Sequence, residues 1–327
     1  MLPSEAERLG GFSRAVNLGL ISMSLADAVM LYDSLLPSSA LHTVVQSLDS
    51  HIFTALKVTP TISWPNETQF LFDKGPTSLK ALAFFFRVDV HRAAMRILWR
   101  KSLQQGFLQE RVYYWGDSFT KGFRFRHFCL PEKLQAHMIR LKAARPGLSE
   151  ITNFVKTHDL AAINARFNTC ARGFDYLFEK ITQRQDVTFH FFIPPHCALA
   201  WINKDSFSSY IGGLLYALDK IESFPHICLY AFDDVPEITC NTANYNDGMH
   251  YGIGVDRYIL KSMKAGKHRI TKANVLEYLR RMADVLLNFD PTPDFEHTVT
   301  FEGPINEESA KAFATLPPPI GPHPLDP

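Results

Sequence analysis

The 327-residue chain has little of what marks the specialised protein classes. Its five cysteines, Cys129, Cys170, Cys197, Cys228 and Cys240, never fall into C-x-x-C spacing. A zinc ribbon or redox pair needs closely paired thiolates, so these read as buried or incidental thiols, and their odd number argues against a full disulfide framework. Charge of one sign is missing as well: 34 basic residues against 33 acidic ones leave +1 and no global field for nucleic acid or anionic membrane. No window approaches 18 uninterrupted apolar residues, and Met1–Gly11 lacks a basic segment followed by an apolar one, so the chain as written reads as soluble. His42, His51, His127 and His137 lack the spacing of a metal site. What remains is 46% hydrophobic and 20% charged, the balance of a globular chain long enough to bury its own core.

The pattern of elements is that of an α/β protein. Arg14–Leu20 is expected to be a buried strand, Leu25–Leu36 a helix stopped by Pro37, and Thr43–Asp49 a second strand, which together make a βαβ unit. Regularity fails from about residue 50 to 168, where Pro60, Pro65 and Gly75-Pro76 interrupt the chain. Helices are expected at Ser78–Lys101, Pro131–Ala144 and Ala161–Lys180. Between them, Arg111–Phe128 interleaves basic and aromatic residues. That composition suits stacking on single-stranded nucleic acid, but without support from net charge it reads better as an amphipathic hairpin or loop.

Alternation returns after Thr169. Strand Val187–Ile193 ends at Pro194-Pro195, helix Phe207–Ser223 follows, and strand His226–Phe232 ends at Asp233-Asp234. Helices at Tyr251–Lys264 and Asn274–Asn288 complete the pattern, which predicts a parallel sheet covered on both faces. The organisation is therefore an α/β sheet domain in two parts, residues 1–50 and 169–288. A helical or irregular insertion (51–168) divides it, and a Pro-rich tail (289–327) reads as disordered or polyproline.

Ligands of open parallel sheets bind beyond the carboxyl ends of the strands. The candidates there are Ser22–Ser24, Asp49, His196, Asp233-Asp234 and the stretch Asn244–Tyr251. The last holds Asp247 and His250 three apart in a loop that leads into a helix. A carboxylate on one imidazole nitrogen fixes the tautomer and makes the other nitrogen a base toward a hydroxyl. His190, inside an apolar strand, reads as a core residue.

The segments VTFHFFIPPH, HICLYAFDD and NYNDGMHY resemble the C-terminal half of SGNH/GDSL hydrolases. The likeness is to the branch that includes the D-alanine transfer protein and polysaccharide O-acyltransferase partners. AVNLGLISMSLADAVMLYDSLL and TVVQSLDSHIF look like that family's second and third blocks, so the resemblance covers about residues 14–50 and 185–262. It implies a three-layer α/β/α fold with a flavodoxin-like sheet, and hydrolysis or transfer of an acyl group on a glycan or similar ester. Asp247 would orient His250 as general base, with no metal or cofactor, no nucleic acid, and a membrane-bound acyltransferase partner at the cell envelope.

The pattern departs from the family in four places, one of them the second-block glycine that would hold the oxyanion, replaced near Ile21-Ser22. Gly248-Met249 separates the Asp and His, Asp49 stands where many such enzymes carry asparagine, and no strand ending in a nucleophilic serine precedes Arg14. Gly11-Phe12-Ser13-Arg14 mimics the nucleophile turn, but no apolar strand runs into it. Loss of a central strand would leave two unpaired edges in a sheet, so the missing strand is expected upstream of Met1. The alternative is a degenerate, non-catalytic binding scaffold.

Overall fold

The computed structural model describes residues 32–33, 35–39, 41–48, 131–167, 172–202, 204–245, 247–291 and 294. Within them the chain is a mixed α/β structure built on one four-stranded sheet. Its strands are β1 (Thr43–Ser47), β2 (Thr188–Ile193), β3 (Ile227–Ala231) and β4 (Arg269–Ile270), side by side in that order. β1, β2 and β3 are parallel, with Val45 opposite His190 and His190 opposite Cys228. β4 runs antiparallel to β3, which departs from the all-parallel sheet that the sequence predicts. At two residues, with Arg269 exposed and Ile270 buried, β4 is too short to leave a pattern of alternation.

Successive strand residues point to opposite faces. All five residues of β3 are buried, so both faces of the sheet are covered there. On β2, Phe189, Phe191 and Ile193 lie on one face and are almost wholly buried, while Thr188 and His190 on the other are only partly so. Phe189 and Phe191 stack at 6.2 Å on the better-covered face, and Tyr32 meets Phe189 edge-on and donates to the Gln46 side chain.

The helices are α1 (Pro131–Thr157), α2 (Leu160–Phe167), α3 (Arg172–Ile181), α4 (Lys204–Ile221), the short α5 (Pro236–Thr239), α6 (Ile253–Lys264) and α7 (Val275–Asn288). α4 is the hub: Phe207, Tyr210, Ile211, Leu214, Ala217, Leu218 and Ile221 are buried, and α1, α2 and α3 all pack on it. α1 runs 13 residues past the predicted end at Ala144, straight through Pro146. Its buried Leu141, Leu148, Ile151 and Val155 recur at 7, 3 and 4 residues, one helical face, against which α7 lies. Burial of that stripe outweighs the hydrogen bond lost at an exposed proline. The helix predicted at Ala161–Lys180 is carried by α2 and α3.

Other expectations fall close to the observed bounds, since strands of branched and aromatic residues ending at Pro or Asp leave little freedom. The strand at Arg14–Leu20, Ser22–Ser24, most of the helix at Leu25–Leu36, the segments Ser78–Lys101 and Arg111–Phe128, Ser13, Asp49, Cys129, Cys170 and all of the Pro-rich tail but residues 289–291 and 294 lie outside the described residues. No described helix is long and apolar enough to cross a membrane.

Candidate functional site

The carboxyl ends of β1, β2 and β3 are brought side by side by their parallel pairing. At the end of β1, Ser47 lies opposite Phe192, and the Leu48 amide donates to the Phe192 carbonyl at 2.8 Å. β2 leads through Pro194-Pro195 into a 3-10 turn at Ala198–Ile202, and β3 into Asp233-Asp234.

The segment that carries Asp247 and His250 is a closed loop with a built neck. Asn244 donates from its side chain to the carbonyls of Glu237 (3.0 Å) and Ile238 (3.1 Å), which fixes the approach. Tyr245 and Tyr251 form an antiparallel bridge, and the Gly252 amide donates to the Asn244 carbonyl at 3.1 Å. The tip between them holds Asp247, Gly248, Met249 and His250, after which α6 begins.

At that tip the expected pair is formed. His250 Nδ1 lies 2.7 Å from Asp247 Oδ2. A carboxylate only accepts, so Nδ1 carries the proton and Nε2 is the basic nitrogen. The other oxygen, Asp247 Oδ1, accepts the amides of Met249 and His250, both at 2.8 Å. Burial pushes the Asp247 carboxyl up, but the His250 ring and the two amides outweigh it and hold it below the ordinary carboxylate value. Both side chains are about half exposed, so a substrate can reach them. A Cβ on Gly248 would stand 3.6 Å from the Ala200 Cβ, an ordinary contact, so space does not require glycine between the pair.

Behind this tip is a buried hub that the sequence does not announce. Asp233, with its side chain fully buried, accepts from the His196 amide (2.9 Å) and Trp201 Nε1 (3.4 Å) on Oδ1, and from the Tyr210 hydroxyl (3.3 Å) on Oδ2. Tyr210 in turn meets the Tyr278 hydroxyl at 2.6 Å, which ties the hub to α4 and α7. His196, a sequence candidate for the site, is 3% exposed with its ring edge-on to Trp201. Its Nδ1 sits 3.4 Å from Asp233 Oδ1 without making a hydrogen bond. That ring faces protein and is closed to a substrate. Trp201, Tyr210 and Tyr278 come from separate elements, so no local spacing signals them.

Asp234, next along, pairs with Arg281 Nε at 2.8 Å, while its Oδ1 is buried without a hydrogen-bond partner, 4.0 Å from His268 Nδ1. Burial raises the Asp234 carboxyl, and Arg281 opposes that only in part. His268 has φ +60°, and its Nε2 meets the Tyr258 hydroxyl at 3.0 Å. Burial lowers the His268 pKa despite Asp234, and burial with the charge of Arg269 lowers that of His190.

Both rings therefore favour the neutral form in the folded state. The stability they contribute is full above the ordinary histidine value of about 6.5 and is lost as pH falls through their lowered values. Asp234 works in the opposite sense, stabilising most when protonated. Thermal melts at pH 7.5 and pH 5.5 are expected to show a lower melting temperature at pH 5.5. His268→Asn, which tolerates the left-handed backbone, is expected to reduce that difference. A variant with the same pH difference as the parent would remove His268 from the account.

Cys197 and Cys228 are buried cysteines outside any disulfide, and burial pushes the Cys240 thiol up to about 11. Among the described residues no cluster of three or more His, Cys, Asp or Glu is placed to hold a metal ion. No protein-family model matches the chain, no curated protein matches it, and no solved structure matches its fold.

Proposed function

We propose that the chain is an ester hydrolase or O-acyltransferase of the SGNH kind, acting through Asp247, His250 and a serine on an acylated glycan or similar ester. The observation that carries this reading is the half-exposed Asp247–His250 pair at 2.7 Å, on a loop beside the carboxyl ends of parallel strands. The pairing of β1 to β3 and the burial of β3 on both faces are what a three-layer α/β/α domain with a flavodoxin-like sheet requires. A membrane-bound acyltransferase partner belongs to the same proposal and rests on the sequence resemblance alone.

The chemistry needs no cofactor. A serine Oγ attacks the ester carbonyl as His250 Nε2 takes its proton, and the leaving alcohol departs with that proton. Water or an acceptor hydroxyl then attacks the acyl-serine, giving its proton to His250, and the serine is restored. β1 pairs directly with β2, so its carboxyl end lies beside that of β2; a nucleophile there would depart from the family pattern, in which this stretch is the third block. Ser47 is the last residue of β1, and Ser50 follows three positions later in the sequence.

The test is hydrolysis of p-nitrophenyl acetate by the full chain and by Ser47→Ala, Ser50→Ala and Ser13→Ala variants. Turnover in the parent chain that one of these variants abolishes is the expected result, and Ser47 or Ser50 is the expected position. A second reading, the non-catalytic scaffold, is favoured by one observation: Asp247 Oδ1 already holds two loop amides, a structural duty independent of catalysis. Absence of turnover, with Asp247 variants altering only stability, is the outcome that supports it.

A further inference from the structure

Three consecutive residues after β2 are each tied to a different part of the 233–248 segment. The Pro195 carbonyl accepts the Tyr245 hydroxyl at 3.1 Å, the His196 amide donates to Asp233 Oδ1 at 2.9 Å, and the Cys197 amide donates to the Gly248 carbonyl at 3.0 Å. All three partners are in the protein interior or at the loop tip: Tyr245 is fully buried, Asp233 is 2% exposed, and Gly248 lies between Asp247 and His250. Strand pairing explains none of these bonds, because they begin where β2 has ended.

The Tyr245–Tyr251 bridge and the Asp247 bonds to the Met249 and His250 amides are contacts within the loop. Contacts of that kind fix the loop's internal shape but not its place over the sheet. The Gly248–Cys197 bond ties the tip to the exit of β2, and it is only as firm as Cys197 itself. Tyr245 and Asp233 hold the two residues before Cys197, and Asp233 is anchored through Tyr210 and Tyr278 to α4 and α7.

We infer that Asp233 and Tyr245 are positioning residues, which clamp Pro195-His196-Cys197 so that Gly248, and with it the Asp247–His250 pair, is held in register with the carboxyl ends of β1 and β2. The inference rests on the proposed function for its purpose, but the clamp itself is a statement about structure. An imidazole that keeps its Nδ1 proton on Asp247 needs the loop geometry held to a few tenths of an ångström. Free imidazole in water favours the other tautomer, so the tautomer of His250 reports on the clamp.

The experiment is long-range ¹H–¹⁵N correlation of the imidazole nitrogens in the full ¹⁵N-labelled chain at neutral pH, with amide hydrogen exchange on the same sample. The Nδ1–H tautomer is expected to dominate at His250 in the parent chain and to give way to Nε2–H in Tyr245→Phe. It is expected to survive in Tyr216→Phe, which removes hydrogen bonds of 2.7 and 2.8 Å to Asp175 between α3 and α4. A Tyr245→Phe protein that folds and keeps the parent tautomer overturns the inference.

Should Tyr245→Phe fail to fold, the parent chain decides. The amides of His196 and Cys197 are expected to exchange as slowly as that of Phe191 in the strand core, and fast exchange at either overturns the clamp. Asp247→Asn separates the two levels of the argument. If the parent chain shows no Nδ1–H preference and Asp247→Asn changes nothing, the catalytic pairing has failed, and slow amides at 196 and 197 still establish the clamp.

Discussion

His250→Ala is expected to lower ester turnover by about 10³–10⁴-fold while leaving the melting temperature almost unchanged. The ring is half exposed, so its removal opens no cavity in the core. Asp247→Asn should cost nearly as much activity for a different reason. An Asn side chain can still accept the Met249 and His250 amides through its oxygen, so the loop survives. Its amide group, however, donates where a carboxylate accepts, and it turns the His250 proton to the wrong nitrogen. The two variants act on one unit, so the double variant should be little worse than either alone. Steady-state kinetics with p-nitrophenyl acetate, paired with thermal melts, checks both. Loss of stability matching the loss of activity in either variant would contradict the assignment.

Asp233→Ala is expected to be strongly destabilising. It leaves the His196 amide and Trp201 Nε1 without their shared acceptor in a site with no exposure, while the Tyr210 hydroxyl still meets Tyr278. Each buried donor left unmatched costs about 1–3 kcal/mol, and the total should come to about 3–5 kcal/mol. For a folded unit of this size that is a fall in melting temperature of roughly 10 °C. Asp233→Asn keeps one acceptor oxygen and should lose about half as much. Chemical denaturation of the two variants and the parent measures this directly, and parent-like stability in both would show that the network contributes little.

The contrast between the two acid–base pairs explains what the sequence can and cannot reveal. Asp247 and His250 are three residues apart, so one turn of chain brings them together, and that spacing is visible in the letters alone. β2, β3, α4 and α7 are equally legible, because apolar periodicity and a Pro or Asp at the exit define each of them. Asp233 is different. It reads as a cap on a strand exit, yet its partners His196, Trp201 and Tyr210 lie 37, 32 and 23 residues before it and meet only through the packing of α4 on the sheet.

His196 shows the opposite failure. Its place at a strand's carboxyl end makes it a reasonable site candidate, but Trp201 covers the ring, and no periodicity encodes what covers a loop residue. α1 and β4 mark two more limits. Pro146 carries a local stop signal that a buried stripe of four apolar residues overrides, and β4 is a two-residue strand whose pairing depends on Leu229 and Tyr230 far upstream. The proposed nucleophile is the remaining case. A serine at a strand end is too common to single out from the letters, and only the place of β1 next to β2 directs attention to Ser47 and, three positions on in sequence, Ser50.

The most direct measurement of the central claim is labelling of the full chain with a fluorophosphonate, followed by peptide mapping by mass spectrometry. Such a probe phosphonylates a serine only when a neighbouring base has activated it. The expected result is one adduct, on Ser47 or Ser50, formed by the parent chain and lost in His250→Ala. No adduct on any serine, or an adduct that forms equally well without His250, would contradict the account.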